Sequence, residues 1–126
     1  MADSLERLFD AVRDLKKGDP ARSRTARLIR AGRAKIAKKL GEEAVEVVID
    51  AMHGDRDAVV RESADLLYHL VVLWVSTGVR PEDVWAEMNR RERLFGIAEK
   101  VPKRSSPALA RRKVVALDSH RARKRH

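Results

Sequence analysis

Residues 33–75 read RAKIAKKLGEEAVEVVIDAMHGDRDAVVRESADLLYHLVVLWV, and this stretch decides the fold. Ile36, Leu40, Ala44, Val47, Val48 and Ala51 recur at the spacing of one helical face, which predicts a long helix over about 33–53 with Gly54 as its stop. Asp55 and Asp57 favour the start of a second helix that continues to about Val75. With only Gly54 and Asp55 between them, the two helices are expected to pack antiparallel. The latter half of the second helix, Leu66 to Val75, is apolar on nearly every side. Such a helix is buried all round, and in so small a chain that predicts a subunit interface.

Helix signals continue outward in both directions. Leu5, Leu8, Phe9, Val12 and Leu15 form one apolar face, with Ser4 as the expected N-cap and Gly18-Asp19-Pro20 as the end. A short segment, Ser23 to Ile29, is stopped near Ala31-Gly32. Its hydroxyls and arginines suit either a capped surface helix or anion contacts. Pro81 fits the first turn of a further helix, with Val84, Trp85, Met88 and Leu94 expected on its inner face. The fold class is therefore all-α, a bundle of four to five helices completed by dimerisation. Only Val114 to Leu117 has a strand-like look, and it lies in a Pro-, Ser- and Arg-rich tail that reads as disordered.

The 126 residues suit one domain, expected over 1–99, followed by a basic tail over 100–126. Net charge is +9, but ten of the 28 Lys and Arg and only one of the 19 Asp and Glu lie from residue 100 onward. Residues 1–99 thus carry 18 of each sign and are neutral. Any weak affinity for nucleic acid is expected to belong to the tail alone. There is no cysteine, which excludes a disulfide framework and a thiolate metal site. The N-terminus has no basic stretch followed by an apolar one, and the apolar run Leu70 to Val75 is too short to span a bilayer. A cytoplasmic protein without a membrane partner is expected.

The chemistry resides in two acidic clusters on the consecutive helices: Glu42, Glu43 and Glu46, then Glu62 and Asp65. On a helix Glu43 and Glu46 lie about 60° apart, as do Glu62 and Asp65, while Glu42 and Glu46 lie about 40° apart. Each helix can present a carboxylate pair on one strip. Carboxylates at such spacing are common on solvated helix faces. Two clusters on paired helices, each flanked by core-type residues, also suit a site for a hard divalent cation, because crowded carboxylates repel and oxygen-only ligands favour Mg²⁺ or Mn²⁺. Just upstream, Lys35, Lys38 and Lys39 form a basic turn, and Lys35, Lys39, Glu42 and Glu46 make one continuous stripe. This stripe suits surface ion pairs or phosphate contacts beside a metal.

Glu-Glu-x-x-Glu (42, 43, 46) followed by Glu-x-x-Asp (62, 65) resembles the signature of the MazG-like all-α nucleoside triphosphate pyrophosphohydrolases. More narrowly, Ser23 to Leu28, Lys35 to Glu46 and Ala64 to Leu70 resemble the phosphoribosyl-ATP pyrophosphatase family, the likeness covering about residues 4–95. The resemblance implies hydrolysis of phosphoribosyl-ATP to phosphoribosyl-AMP and pyrophosphate, with Mg²⁺ (or Mn²⁺), by a homodimer of MazG-like helical bundles. Carried over residue by residue, it makes Glu43, Glu46, Glu62 and Asp65 the metal ligands. Glu42 becomes a further ligand or the residue that orients the attacking water, so that Glu42 and Glu43 are the catalytic candidates. Ser23, Arg24, Thr25, Lys35, Lys38 and Lys39 become candidates for phosphate or phosphoribosyl contacts. Arg24 stands where many members carry an aromatic residue, and the basic tail is not part of the family pattern.

Other residues carry less. Tyr68 and Trp74 suit a core or a dimer interface, and His69, one turn beyond Asp65, suits an interface or a support for the ligands. Phosphate-binding glycine loops and nucleophilic Ser/His/Asp patterns are absent from the sequence. Two further readings stay open: a house-cleaning pyrophosphohydrolase for other nucleoside triphosphates, and a non-catalytic helical dimer that binds nucleic acid through its tail.

Overall fold

The computed structural model describes residues 2–95, which fold as five helices: α1 (Ala2–Leu15), α2 (Arg24–Ala31), α3 (Arg33–Met52), α4 (Arg56–Thr77) and α5 (Pro81–Phe95). Strands are absent among the described residues, so the all-α expectation holds. The basic tail and its strand-like segment lie outside the described residues.

The helix boundaries have local causes. Ser23 caps α2 by accepting a hydrogen bond from the Ala26 amide at 3.0 Å, and Asp55 caps α4 by accepting one from Ala58 at 3.1 Å. At α5 the Asp83 carboxylate reaches back to the Arg80 amide (3.0 Å), which also holds that carboxyl below its ordinary pKa. Between α3 and α4, Gly54 has φ +72°; its amide bonds to the Ala51 carbonyl and that of Asp55 to the Asp50 carbonyl. This pairing of bonds satisfies the last carbonyls of α3 and requires a left-handed residue at position 54. One expected cap is absent: α1 begins before Ser4, whose hydroxyl accepts from Arg7 instead (3.2 Å).

The core surrounds the second half of α4. Val71 and Val72 are completely buried, Trp74 and Val75 nearly so, and Val12 of α1, Leu28 of α2 and Ile36 of α3 close on them. Trp85, in the second turn of α5, meets Trp74 edge-to-face with ring centroids 6.3 Å apart. Burying each of these large apolar side chains contributes about 1.5–3 kcal/mol relative to exposure, so this end of the α3–α4 hairpin anchors the fold.

Two expectations are corrected here. The greasy segment Leu66–Val75 is not an open face awaiting a partner: α1, α2 and α3 pack on α4, and the chain itself covers most of it. Leu67 is the exposed exception. Conversely, α3 buries only Ile36 fully. Leu40, Ala44 and Val47 are half-buried, while Val48 and Ala51 are exposed. In its second half α3 leaves Val45 (55% exposed), Val48 (59%), Ile49 and Met52 (80%) in the open. Their i, i+3, i+4, i+7 spacing puts them on one strip, opposite Glu43 on the helix.

Of the described residues, those up to Ala86 form one compact unit and Glu87 to Phe95 belong to another. Within the first, Val84 and Trp85 pack on the core as expected. In the described part of the second, Met88 and Leu94 are exposed, against expectation. There Glu87 accepts hydrogen bonds from Arg90 (2.8 Å) and Arg91 (2.9 Å), which hold its carboxyl at about 2.

The two glycines of α3 and its stop make a matched test. A Cβ would meet no atom within 4 Å at either Gly41 or Gly54. Gly41→Ala, inside the helix, is expected to raise stability by about 1 kcal/mol, whereas Gly54→Ala lowers it by about as much through its left-handed backbone. Urea unfolding midpoints that shift in opposite directions are the expected result.

Candidate functional site

The antiparallel pairing of α3 and α4 brings three of the sequence-singled carboxylates together. Glu43 of α3 and Glu62 and Asp65 of α4 each offer an oxygen within 4.8 Å of the others. Glu43 and Glu62 are half-buried and Asp65 is exposed. Helical spacing explains the trio: Glu62 and Asp65 share one strip of α4, and Glu43 lies across from them, about three turns from the Gly54 stop. Glu46 is exposed and does not join this group, nor does Glu42, which lies 4.0 Å from both Lys38 and Lys39. Exposed pairs of that kind contribute a few tenths of a kcal/mol each.

The electrostatics follow from the crowding. The Glu62 carboxyl is pushed up to about 6, first by a hydrogen bond shared with Glu43, then by burial and by the charges of Glu43, Asp65 and Asp50. Among the described residues, no Lys or Arg pairs with Glu43, Glu62 or Asp65. The trio is thus a concentration of negative charge whose repulsion no described residue neutralises. A hard divalent cation fits this donor set: all ligands are oxygens, and a cation would relieve the repulsion that raises Glu62.

One helical turn deeper, toward the core, lies a cavity of about 390 Å³. Arg24, Arg27, Lys35 and Lys39 ring it, Leu28 and Ala31 supply apolar wall, and His69 lines it too. Lys39 precedes Glu43 by one turn on α3, and His69 follows Asp65 by one turn on α4, so cavity and acidic trio adjoin. The Arg24 guanidinium lies 5.7 Å from the centre of the Tyr68 ring. Tyr68 in turn shares a hydrogen bond with the buried Thr25 hydroxyl (2.5 Å), which ties α2 to α4. Of the residues singled out in the sequence for phosphate contacts, Arg24, Lys35 and Lys39 line the cavity, and Lys38 does not. The Ser23 and Thr25 hydroxyls are engaged in holding α2. Arg27 and His69 were missed for this role. Their signal was present in Arg27 one turn beyond Arg24 and in His69 one turn beyond Asp65.

No described helix is long and apolar enough to cross a membrane.

Known proteins match this chain closely. The family model described as phosphoribosyl-ATP pyrophosphohydrolase matches residues 3–92. Phosphoribosyl-ATP pyrophosphatase 2 of Bradyrhizobium diazoefficiens is 63% identical over 134 aligned positions that cover 100% of both chains. The protein of the same name from Rhodopseudomonas palustris is 60% identical over 129 positions, 98% of each. The phosphoribosyl-ATP pyrophosphatase of Gluconobacter oxydans is 56% identical over 96 positions, 76% of this chain and 72% of that one. The first two alignments run through the basic tail, which the family model leaves out. With that model spanning both the acidic trio and the cavity, the chain belongs to the phosphoribosyl-ATP pyrophosphohydrolase family.

Proposed function

We propose that this chain hydrolyses phosphoribosyl-ATP between its α- and β-phosphates, giving phosphoribosyl-AMP and pyrophosphate, the second step of histidine biosynthesis, in the cytoplasm. The observation that carries the reading is the un-neutralised trio of Glu43, Glu62 and Asp65 beside a cavity ringed by cations. Negative groups suited to a metal thus adjoin positive groups suited to phosphate. The names of the relatives support the same substrate.

In this reading Glu43, Glu62 and Asp65 hold Mg²⁺, with Mn²⁺ as the alternative and the exposed Glu46 as the candidate fourth carboxylate. When bound, such an ion offsets the charge that develops on the transferring phosphoryl group and acidifies water. The chain's own residues do the rest. Arg24, Lys35 and Lys39 bind and orient the anionic substrate, with Lys38 on the exposed side of the same basic turn. Glu42 and Glu43 are the carboxylates assigned to the attacking water. Below about pH 6 the Glu62 carboxyl holds a proton, and a bound cation would favour its release.

A homodimer belongs to this proposal, but through the outer strip of α3 rather than through Leu66–Val75. Val45, Val48, Ile49 and Met52 are too large and too regularly spaced to be scattered surface apolars. Val48→Asp is expected to halve the mass in light scattering at micromolar concentration while circular dichroism keeps its helical signal. A wild-type monomer at that concentration would overturn the dimer.

The activity itself is tested by incubating the full chain with phosphoribosyl-ATP and a panel of nucleoside triphosphates, with and without Mg²⁺. Pyrophosphate release from phosphoribosyl-ATP that needs the metal is expected, and Glu43→Gln or Asp65→Asn should lower it at least about a hundredfold with the helices intact. Release from the other triphosphates alone would overturn the substrate assignment.

Glu62 sets a pH dependence of known sign. Its folded-state pKa, about 6, lies above its ordinary 4.5, so its contribution to stability is full below pH 4.5 and is lost as pH rises through 6. Glu87, held at about 2, acts in the opposite sense but only below pH 4.5. Metal-free protein is therefore expected to lose stability between pH 4.5 and 6.5, and Glu62→Gln to lose less. Urea unfolding across that range checks it, and calorimetry in two buffers at pH 5.5 should show proton release on Mg²⁺ binding.

A further inference from the structure

The cations that ring the cavity are not all held alike. The Arg27 guanidinium donates to the Pro20 carbonyl at 2.7 Å, and Lys39 lies 4.0 Å from Glu42. Arg24 is exposed, and its side chain has neither an ion pair nor a hydrogen bond among the described residues. Its guanidinium carbon lies instead 5.7 Å from the centre of the Tyr68 ring. That ring is a fixed platform. Tyr68 is half-buried and packs against the core, its hydroxyl is bonded to the buried Thr25 hydroxyl at 2.5 Å, and the His69 ring meets it edge-to-face with centroids 4.9 Å apart. Thr25 follows Arg24 directly in the chain, so the contact that fastens α2 to α4 also brings Arg24 to the ring.

The possible partners of a guanidinium differ in what they leave free. A carboxylate would fix Arg24, but it would occupy N–H donors and cancel the charge. An aromatic face holds the cation through the ring quadrupole and uses no donor, so every guanidinium N–H stays available to an anion. Restraint matters as well. A free arginine side chain gives up its rotamer freedom when an anion binds, whereas one already resting on a ring has given up part of it beforehand. At Arg24 the structure therefore combines an undiminished charge with a restrained position.

We propose that Tyr68 is a positioning residue, whose ring holds the Arg24 guanidinium at the cavity in a restrained, fully charged state and whose hydroxyl fixes α2 through Thr25. This rests on the reading of Arg24 as one of the cations that bind the anionic substrate. Ring and hydroxyl then have separable effects: the first acts on substrate affinity, the second on the stability of the fold.

The test separates ring from hydroxyl in the full chain. Tyr68→Leu removes both and is expected to raise KM for phosphoribosyl-ATP about threefold, the effect of losing an exposed cation–π contact, with kcat little changed. Tyr68→Phe restores the ring and should bring KM back to near the wild-type value. Urea unfolding midpoints should stay lowered in both variants, because both lose the bond to Thr25. Arg24→Ala should raise KM about tenfold in the wild type but only about threefold when Tyr68 is already leucine, since a guanidinium without its platform contributes less. Proton NMR of the wild type gives a second reading: the Arg24 side-chain methylene signals, identified by their loss in Arg24→Ala, should be shifted upfield by the ring. If circular dichroism shows Tyr68→Leu to be unfolded, that shift decides alone. Titration calorimetry with inorganic triphosphate and no metal repeats the comparison as affinities. Arg24 and Tyr68 effects that simply multiply, a KM as high in Tyr68→Phe as in Tyr68→Leu, or Arg24 signals without an upfield shift each overturn the proposal. Turnover of phosphoribosyl-ATP with KM unchanged in Tyr68→Leu overturns it and leaves the proposed function standing. Triphosphate binding that shows the same coupling, in a chain that releases no pyrophosphate, supports the positioning role and overturns the function.

Discussion

Everything at the site depends on the way α3 and α4 lie against each other. Toward the core the pair is closed by Ile36, Val71 and Val72, all completely buried. Farther along the same contact, Glu43, Glu62 and Asp65 bring oxygens within 4.8 Å. Carboxylates at such distances oppose the association of the helices that carry them, and the raised Glu62 is the visible trace of that opposition. The apolar end must therefore hold the acidic end together, as the burial of three large side chains can do. On the proposed function, this enforced crowding of like charges is what a cation would relieve.

The same pairing organises the neighbouring cavity. Each helix steps one turn from the acidic trio to a residue that lines the cavity, Lys39 on α3 and His69 on α4. On the proposed function, sign reversal over one turn suits an extended, multiply charged nucleotide, whose phosphates would meet a metal at one end and cationic side chains at the other. Helix α2 completes the ring of cations, and its placement relies on two hydroxyls: Ser23 starts the helix and Thr25 fastens it to Tyr68.

Much of this was legible in the sequence because helices are periodic. The i, i+3 spacing of Glu62 and Asp65 puts them on one strip whatever else the chain does, and the short Gly54-Asp55 link turns that strip toward α3. The same rule could not separate Glu43 from Glu46, which lie about 60° apart. Which edge of a strip faces the neighbour depends on the rotation of the packed helix, and periodicity does not carry that. The segment Leu66–Val75 was misassigned for a related reason. Apolarity on all sides predicts burial on all sides, but not whether the cover is α1 and α2 or a second copy. Val48 and Ala51 were misplaced through the opposite error, an apolar strip taken to face inward. The cavity was the least legible feature. Arg27 and His69 are 42 positions apart in the sequence, and only the packing of three helices makes them neighbours.

The unequal closure of the α3–α4 hairpin also sets how it moves. Backbone amides near Val71 and Val72 are expected to exchange with solvent only when the whole fold opens, and those around Met52 to Arg56, exposed and backed by little packing, by local fraying. Between these extremes stability declines along the helix pair, and Glu43, Glu62 and Asp65 lie partway down the gradient. On the proposed function, an ion held by these residues would act as a clasp at mid-length. It would extend the rigid part of the hairpin toward the Gly54 turn and shorten the stretch free to breathe.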